Sequence, residues 1–228
     1  VEILEAGCKF LHKIKVKPMN PHKILSFFIL ACAFAAPAYA QLGDRITPHF
    51  GLMQEVVILR EVSNLPGVPT SEARAIFTMG NFGGYGHFAH KNDVVSVGID
   101  ASAQIGLQLT FDGRVSFSGM TPVYLMGRIG AGATPYNSQA VGFSLGIGAN
   151  SLYLNLANPG STRINSFAFA PSAVAQLKLN AFGSPITGRI HTSLIPTRTN
   201  LNTRVPSGGT NSQPYDFSFF GFGLMMEL

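Results

Sequence analysis

Residues 141–150, VGFSLGIGAN, alternate without a break: Val141, Phe143, Leu145 and Ile147 share one face of an extended chain, and Gly142, Ser144, Gly146 and Gly148 share the other. The longest run of this kind is 94–110, where Val95, Val97, Ile99, Ala101, Ala103, Ile105, Leu107 and Leu109 oppose Ser96, Gly98, Asp100, Ser102, Gln104, Gly106 and Gln108. A period of two predicts strands, and no stretch beyond residue 40 has the 3.6-residue period of an amphipathic helix. Eight strands are expected, at about 46–55, 74–89, 94–110, 121–133, 139–149, 164–180, 186–195 and 215–228. The connections alternate in length: long at 56–73, tight at HKND (90–93), a hairpin tip at Asp112-Gly113, short at 134–138, long at 150–162, short at 181–185 and long at 196–214. In an up-and-down barrel successive connections lie at opposite ends, so one end is elaborated and the other trimmed. An even strand count puts both chain ends on the trimmed side.

The first 40 residues read differently. From Met19, MNPHKILSFFILACAFAAPAYA has a basic start at Lys23, an apolar run from Ile24, and Ala38 and Ala40 around Tyr39. That is a signal peptide with cleavage expected after Ala40. Pro37 interrupts the run, which is also shorter than a membrane-spanning helix needs. Residues 1–18 precede a natural start at Met19 and are read as an over-extended start, leaving 41–228 as one barrel domain. The excision removes both cysteines, Cys8 and Cys32, so a disulfide framework is excluded. It also leaves 11 basic and 9 acidic residues, so the high isoelectric point belongs largely to the leader and implies no nucleic-acid partner.

Alternation alone does not say which face is outside, because a soluble lipocalin-like barrel has the same period. Charge decides: 20 ionisable Lys, Arg, Asp and Glu in 188 residues, most near strand ends, are too few to coat a soluble barrel. The bulky face therefore meets lipid, and the Gly/Ser/Ala/Gln face fits the narrow interior of an eight-stranded barrel. With its signal peptide, long and short loops, and a last strand FSFFGFGLMMEL that sets Phe220, Phe222, Leu224, Met226 and Leu228 on one face, the chain resembles the small eight-stranded outer-membrane β-barrel proteins of Gram-negative bacteria, the OmpA/OmpX/OmpW-like porin-family barrels. It departs from them in ending on Leu and in lacking tryptophan. The resemblance implies an all-β, closed, antiparallel up-and-down transmembrane barrel in the bacterial outer membrane. Its partners would be outer-membrane lipid, the barrel assembly machinery through the C-terminal strand, and a surface ligand at the long loops.

Parity turns Asp100, Arg128, Lys178, Arg189 and Glu227 inward, with Gln104, Gln108, Gln176 and His191 beside them. Opposite charges in a narrow lumen are expected to pair as a polar plug; the alternative is a narrow porin-like pore lined by the same groups. His191 and Ser193, two apart, are similar to the His-x-Ser arrangement of lipid A deacylase barrels and are the candidate catalytic pair, with Asp216 and Glu227 as candidate acids. The expectation is a non-enzymatic barrel without cofactor or metal: His87 and His90, three apart, should point to opposite faces, and GNFGGYG (80–86) lacks the context of a phosphate loop. Pro171 is the misfit, since it cannot donate to a ladder in a closed wall. Either only Ser172–Asn180 crosses the membrane, or a bulge accommodates the proline.

Overall fold

A computed structural model describes residues 45–62, 72–109, 115–157, 163–181, 184–204 and 210–228. Nine strands run in chain order: β1 (Ile46–Glu61), β2 (Glu72–Lys91), β3 (Val95–Leu109), β4 (Val115–Gly130), β5 (Val141–Ala157), β6 (Arg163–Ala181), β7 (Ser184–Ser193), β8 (Thr197–Arg204) and β9 (Thr210–Glu227). Each pairs antiparallel with its neighbour, and β9 returns to β1 through His49↔Glu227 to Glu61↔Tyr215, closing the wall. Every backbone group of a closed wall can be paired without an edge, which hydrocarbon demands.

Nine strands make eight staves. Both β7 and β8 lie between β6 and β9, so together they form one stave interrupted at Leu194–Pro196. Seven residue steps separate Ser172 from Asn165 on β6, whereas nine separate their partners Ser193 and Asn202. The break thus inserts two residues, and it resolves the proline. The Leu194 N–H donates to the Pro171 carbonyl at 2.9 Å, so Pro171 turns its missing donor toward the break, where the ladder is already interrupted. As expected of a strand at 164–180, β6 continues through Pro171, and the irregularity lies in the stave beside it.

The strands are also longer than the pattern predicted, chiefly at the long-loop end. Residues 150–157, expected as loop, continue β5, and most of 196–214 is strand. The hairpin tip at Asp112-Gly113 lies outside the described residues. At the other end Asn92 and Asp93 take positive φ (51° and 55°), the mirror-turn geometry that joins two twisted strands most tightly.

The two faces are distinct. Val95, Val97, Ile99, Leu125, Ile129, Val141, Phe143, Leu145, Ile147, Leu177, Ile190 and Leu224 are exposed on the outside, while Asp100, Arg128, Lys178 and Arg189 are buried within. A soluble protein would invert this arrangement. On β1 the outward apolar band runs from Pro48 to Ile58, about the length a tilted strand needs to cross hydrocarbon. Its one polar member, Gln54, donates to Thr78 Oγ1 on β2 at 2.8 Å. Exposed Tyr153 and Phe167 lie toward the long-loop end and Phe50, Phe88 and Phe143 toward the other, placing Phe and Tyr where tryptophan is common. The chain is a transmembrane barrel of the bacterial outer-membrane type.

The near-empty inner face of β5 has a cause beyond lumen width. A Cβ on Gly148 would strike the Val123 carbonyl oxygen, and one on Gly142 the Ala131 backbone. Here the wall curls so tightly that neighbouring backbones occupy the space of an inward side chain.

Candidate functional site

The lumen has two tiers. In the short-turn half lies an ionic layer built from every second residue of six strands. Asp100 on β3 is its centre, with Arg189 Nη1 at 3.1 Å, Arg128 Nη2 at 3.3 Å and His49 Nε2 at 3.4 Å, all four side chains fully buried. Arg128 also reaches Glu227 Oε1 at 3.2 Å, and Glu227 accepts from Lys178. Gln104 donates to Asn81 Oδ1 at 3.1 Å, and the Asn81 amide meets His49 Nδ1 at 3.2 Å, which extends the network back to Asp100. Gln176 lies opposite Arg189 in register and is buried with it. The Arg128 guanidinium covers the Tyr85 ring at 3.5 Å and that of Arg189 lies 5.2 Å from Tyr124, contacts that gain strength away from water.

Next to this layer His191 is held on both sides: Nδ1 bonds Tyr124 Oη at 2.9 Å, and Nε2 bonds Glu55. Gly221 opens the space for that pair, since a Cβ there would overlap both Glu55 and His191. Counting Glu55, the described interior holds three acidic side chains (Glu55, Asp100 and Glu227) against three basic ones (Arg128, Lys178 and Arg189). Such matching is what a low-dielectric interior requires.

The outer half of the lumen is largely apolar, with buried Ser116, Ser118, Ser166 and Thr199 among its residues. Met53, Val57, Leu59, Phe77, Met79, Met120, Leu152, Leu154, Phe217 and Phe219 form one buried cluster, with Phe217 and Phe219 stacked at 5.8 Å. At the opposite mouth the connection from β4 to β5 folds inward. Ala131, Ala133 and Thr134 are buried, the Gly132 carbonyl accepts from Arg128 at 3.1 Å, and Ser96 donates to the Ala133 carbonyl at 2.5 Å. Gly132 takes φ 68° with its missing side chain facing Glu227 and Lys178, a conformation and a space suited to glycine.

Asp100, Gln104, Arg128, Gln176, Lys178, Arg189 and Glu227 are all buried in the short-turn half of the lumen. Gln108 is not among them: it faces inward, but eight residues along β3 from Asp100, roughly 26 Å away. Parity fixes a face and not a height. Glu55 and His49 escaped the sequence reading, although they share the inner face of β1 with Thr47 and Met53. The acid facing His191 is accordingly Glu55, in register with it on the far side of Gly221 of β9, instead of Asp216 or Glu227. Ser193 makes no bond to His191; its Oγ accepts from the Phe219 N–H at 3.1 Å. His87 and His90 also differ from expectation, because a register irregularity between His87 and Ala89 brings their rings to 5.3 Å. Among the described residues no group of three His, Cys, Asp or Glu could hold a metal ion.

No protein-family model matches the sequence, nor does any curated protein. Solved structures with a similar chain path include the outer membrane protein AlkL in DMPC bilayers, at 14% identity over 81% of this chain and 90% of that one, TM-score 0.46. The outer membrane protease OmpT from Escherichia coli is similar at 10% identity over 81% and 95%, TM-score 0.45. The outer membrane protein OprG from Pseudomonas aeruginosa is similar at 12% identity over 82% and 98%, TM-score 0.42. The barrel and its orientation follow from this chain's own register and burial.

Proposed function

We propose that the protein is a sealed, non-catalytic outer-membrane barrel that acts through its long-loop end. The observation that supports this most is the filling of the lumen in two tiers. Arg128, Arg189, Lys178, Tyr85 and Tyr124 occupy one half, and Met53, Met79, Phe77, Phe217 and Phe219 the other, all among the most deeply buried side chains. A filled interior favours a scaffold over a conduit, and loops on a rigid scaffold are where recognition residues sit. The engagement of both His191 nitrogens, by Tyr124 and Glu55, argues against their activating Ser193.

Planar-bilayer recording of the refolded protein tests this reading, with no discrete channel events expected. Steady conductance that changes in Arg128→Gln would establish the narrow pore instead. Mass spectra of lipid A from expressing cells are expected to match those of empty-vector cells. A new lipid A species that disappears with Ser193→Ala would establish the deacylase alternative.

A further inference from the structure

The charges of the chain beyond residue 40 divide by location. The lumen is balanced, as shown above. Among the described residues, the short-turn end carries Arg45 and Lys91 against Asp93. The described residues of the long-loop end carry Arg60, Arg74, Arg163, Arg198 and Arg204 against Glu61, Glu72 and Asp216, an excess of two positive charges. Every cation there is an arginine; the lysines of the mature chain are both elsewhere.

Two of these arginines, Arg60 and Arg198, belong to one outward row, and Arg74 lies one outward position below it, opposite Ile58. Register places Arg60 opposite Glu72 on one side and Asp216 on the other, and Asp216 opposite Arg198, so the row crosses β2, β1, β9 and β8 in sequence. Arg60 lies 3.1 Å from Glu72, Arg74 2.7 Å from the same carboxylate, and Arg198 3.5 Å from Asp216. The arginine side chains are nonetheless 59%, 69% and 67% exposed. Two carboxylates of the row thus face three largely exposed guanidiniums, each carrying five N–H donors. Beneath Arg60 and Arg74 on the same outward face come Ile58 and Ile76, and beneath Asp216 come Ser218 and then Phe220, where the lipid-facing band begins.

From this placement we infer that the arginine row on β2, β1, β9 and β8 is a docking site for the phosphate headgroup of a phosphorylated outer-leaflet lipid. Its acyl chains would lie along the apolar band below. Arginine's planar fork matches a phosphate with two parallel hydrogen bonds, and a lipid is the phosphate carrier that membrane boundary height and the apolar surface beneath both select. A soluble phosphate would gain nothing from that surface.

The test is unfolding of the full barrel in phosphatidylcholine vesicles that are plain, doped with bisphosphorylated lipid A, or doped with its dephosphorylated form. The midpoint is read from the mobility difference between folded and unfolded protein on gels. The phosphorylated lipid should raise the midpoint and the dephosphorylated form should not, and the rise should shrink in high salt. Arg60→Gln/Arg74→Gln/Arg198→Gln should lose the rise, while the corresponding triple lysine variant should keep a reduced one. Equal rises with both lipids, a rise unchanged in the glutamine variant, or an equal rise with inorganic phosphate in plain vesicles would each overturn the proposal. Should the glutamine variant fail to fold, the same comparison is made with Arg198→Gln alone, which should show a partial loss.

Discussion

Replacing Asp100 with Asn keeps the shape of the side chain and removes the charge on which three buried groups converge. Arg189, whose ion pair among the described residues is with Asp100, would be left as an uncompensated buried cation, whereas Arg128 would retain Glu227 at 3.2 Å. Because all of these side chains are sealed from solvent, screening does not soften the loss. Removing one partner of a buried pair typically costs about 3–5 kcal/mol. The matched control is Asp216→Asn, which releases the exposed Arg198 at 3.5 Å and should cost about 1 kcal/mol or less. The assay is equilibrium urea unfolding in phosphatidylcholine vesicles, scored by mobility on unheated gels. The double variant Asp100→Asn/Arg189→Gln should recover part of the loss, because it also removes the orphaned cation. If Asp100→Asn unfolds within about 1 kcal/mol of the wild type, or if the double variant is simply the sum of its parts, the ionic layer does not hold the lumen as described.

Gly148→Val should destabilise the barrel by about 1–3 kcal/mol, because its side chain would meet the Val123 carbonyl. Gly127→Val, which faces open space on the lipid side, should stay within about 0.5 kcal/mol in the same assay. At the rim, hydrogen bonds from Arg74 and Arg60 hold the Glu72 carboxyl below its ordinary range. Its stabilising effect is therefore present above the ordinary carboxylate pKa and lost as pH falls through the lower folded-state value. Unfolding midpoints of Glu72→Gln should accordingly converge on wild type in acid and lie slightly below it at neutral pH; a constant offset across the range would contradict the pairing.

Where the two faces of a strand differ, the sequence displays the fold openly, and where both faces are apolar it does not. Strand β3 shows its inner and outer residues at a glance, and Asp100 and Gln104 lie where the period puts them. At Val56–Leu59, Leu152–Leu156 and Phe217–Phe220 the alternation fades because the outer half of the lumen is itself hydrophobic. The first two stretches consequently read as connections, whereas Phe217–Phe220 falls inside the strand expected at 215–228. Glu55 was hidden for the same reason, standing beside Met53 and Val57 on the inner face. The residues that meet His191 and Asp100 come from strands far apart in sequence, and a two-residue period carries no information about height along the barrel. Gln108 was grouped with Asp100 on that account. The break at Leu194–Pro196 left a readable trace in Pro171, which marked the trouble correctly but could not show which stave absorbs it.

The central claim is that the bulky residues face hydrocarbon. Since the chain has no tryptophan, single reporters at Leu145→Trp and Ile99→Trp, refolded into vesicles with bromine-labelled acyl chains, test it without background. Both residues are exposed on the outer face, so strong quenching by the brominated chains and little by aqueous iodide is expected. Fluorescence that ignores the brominated chains, or that iodide quenches readily, would place these residues in a sealed core or in water and contradict the account.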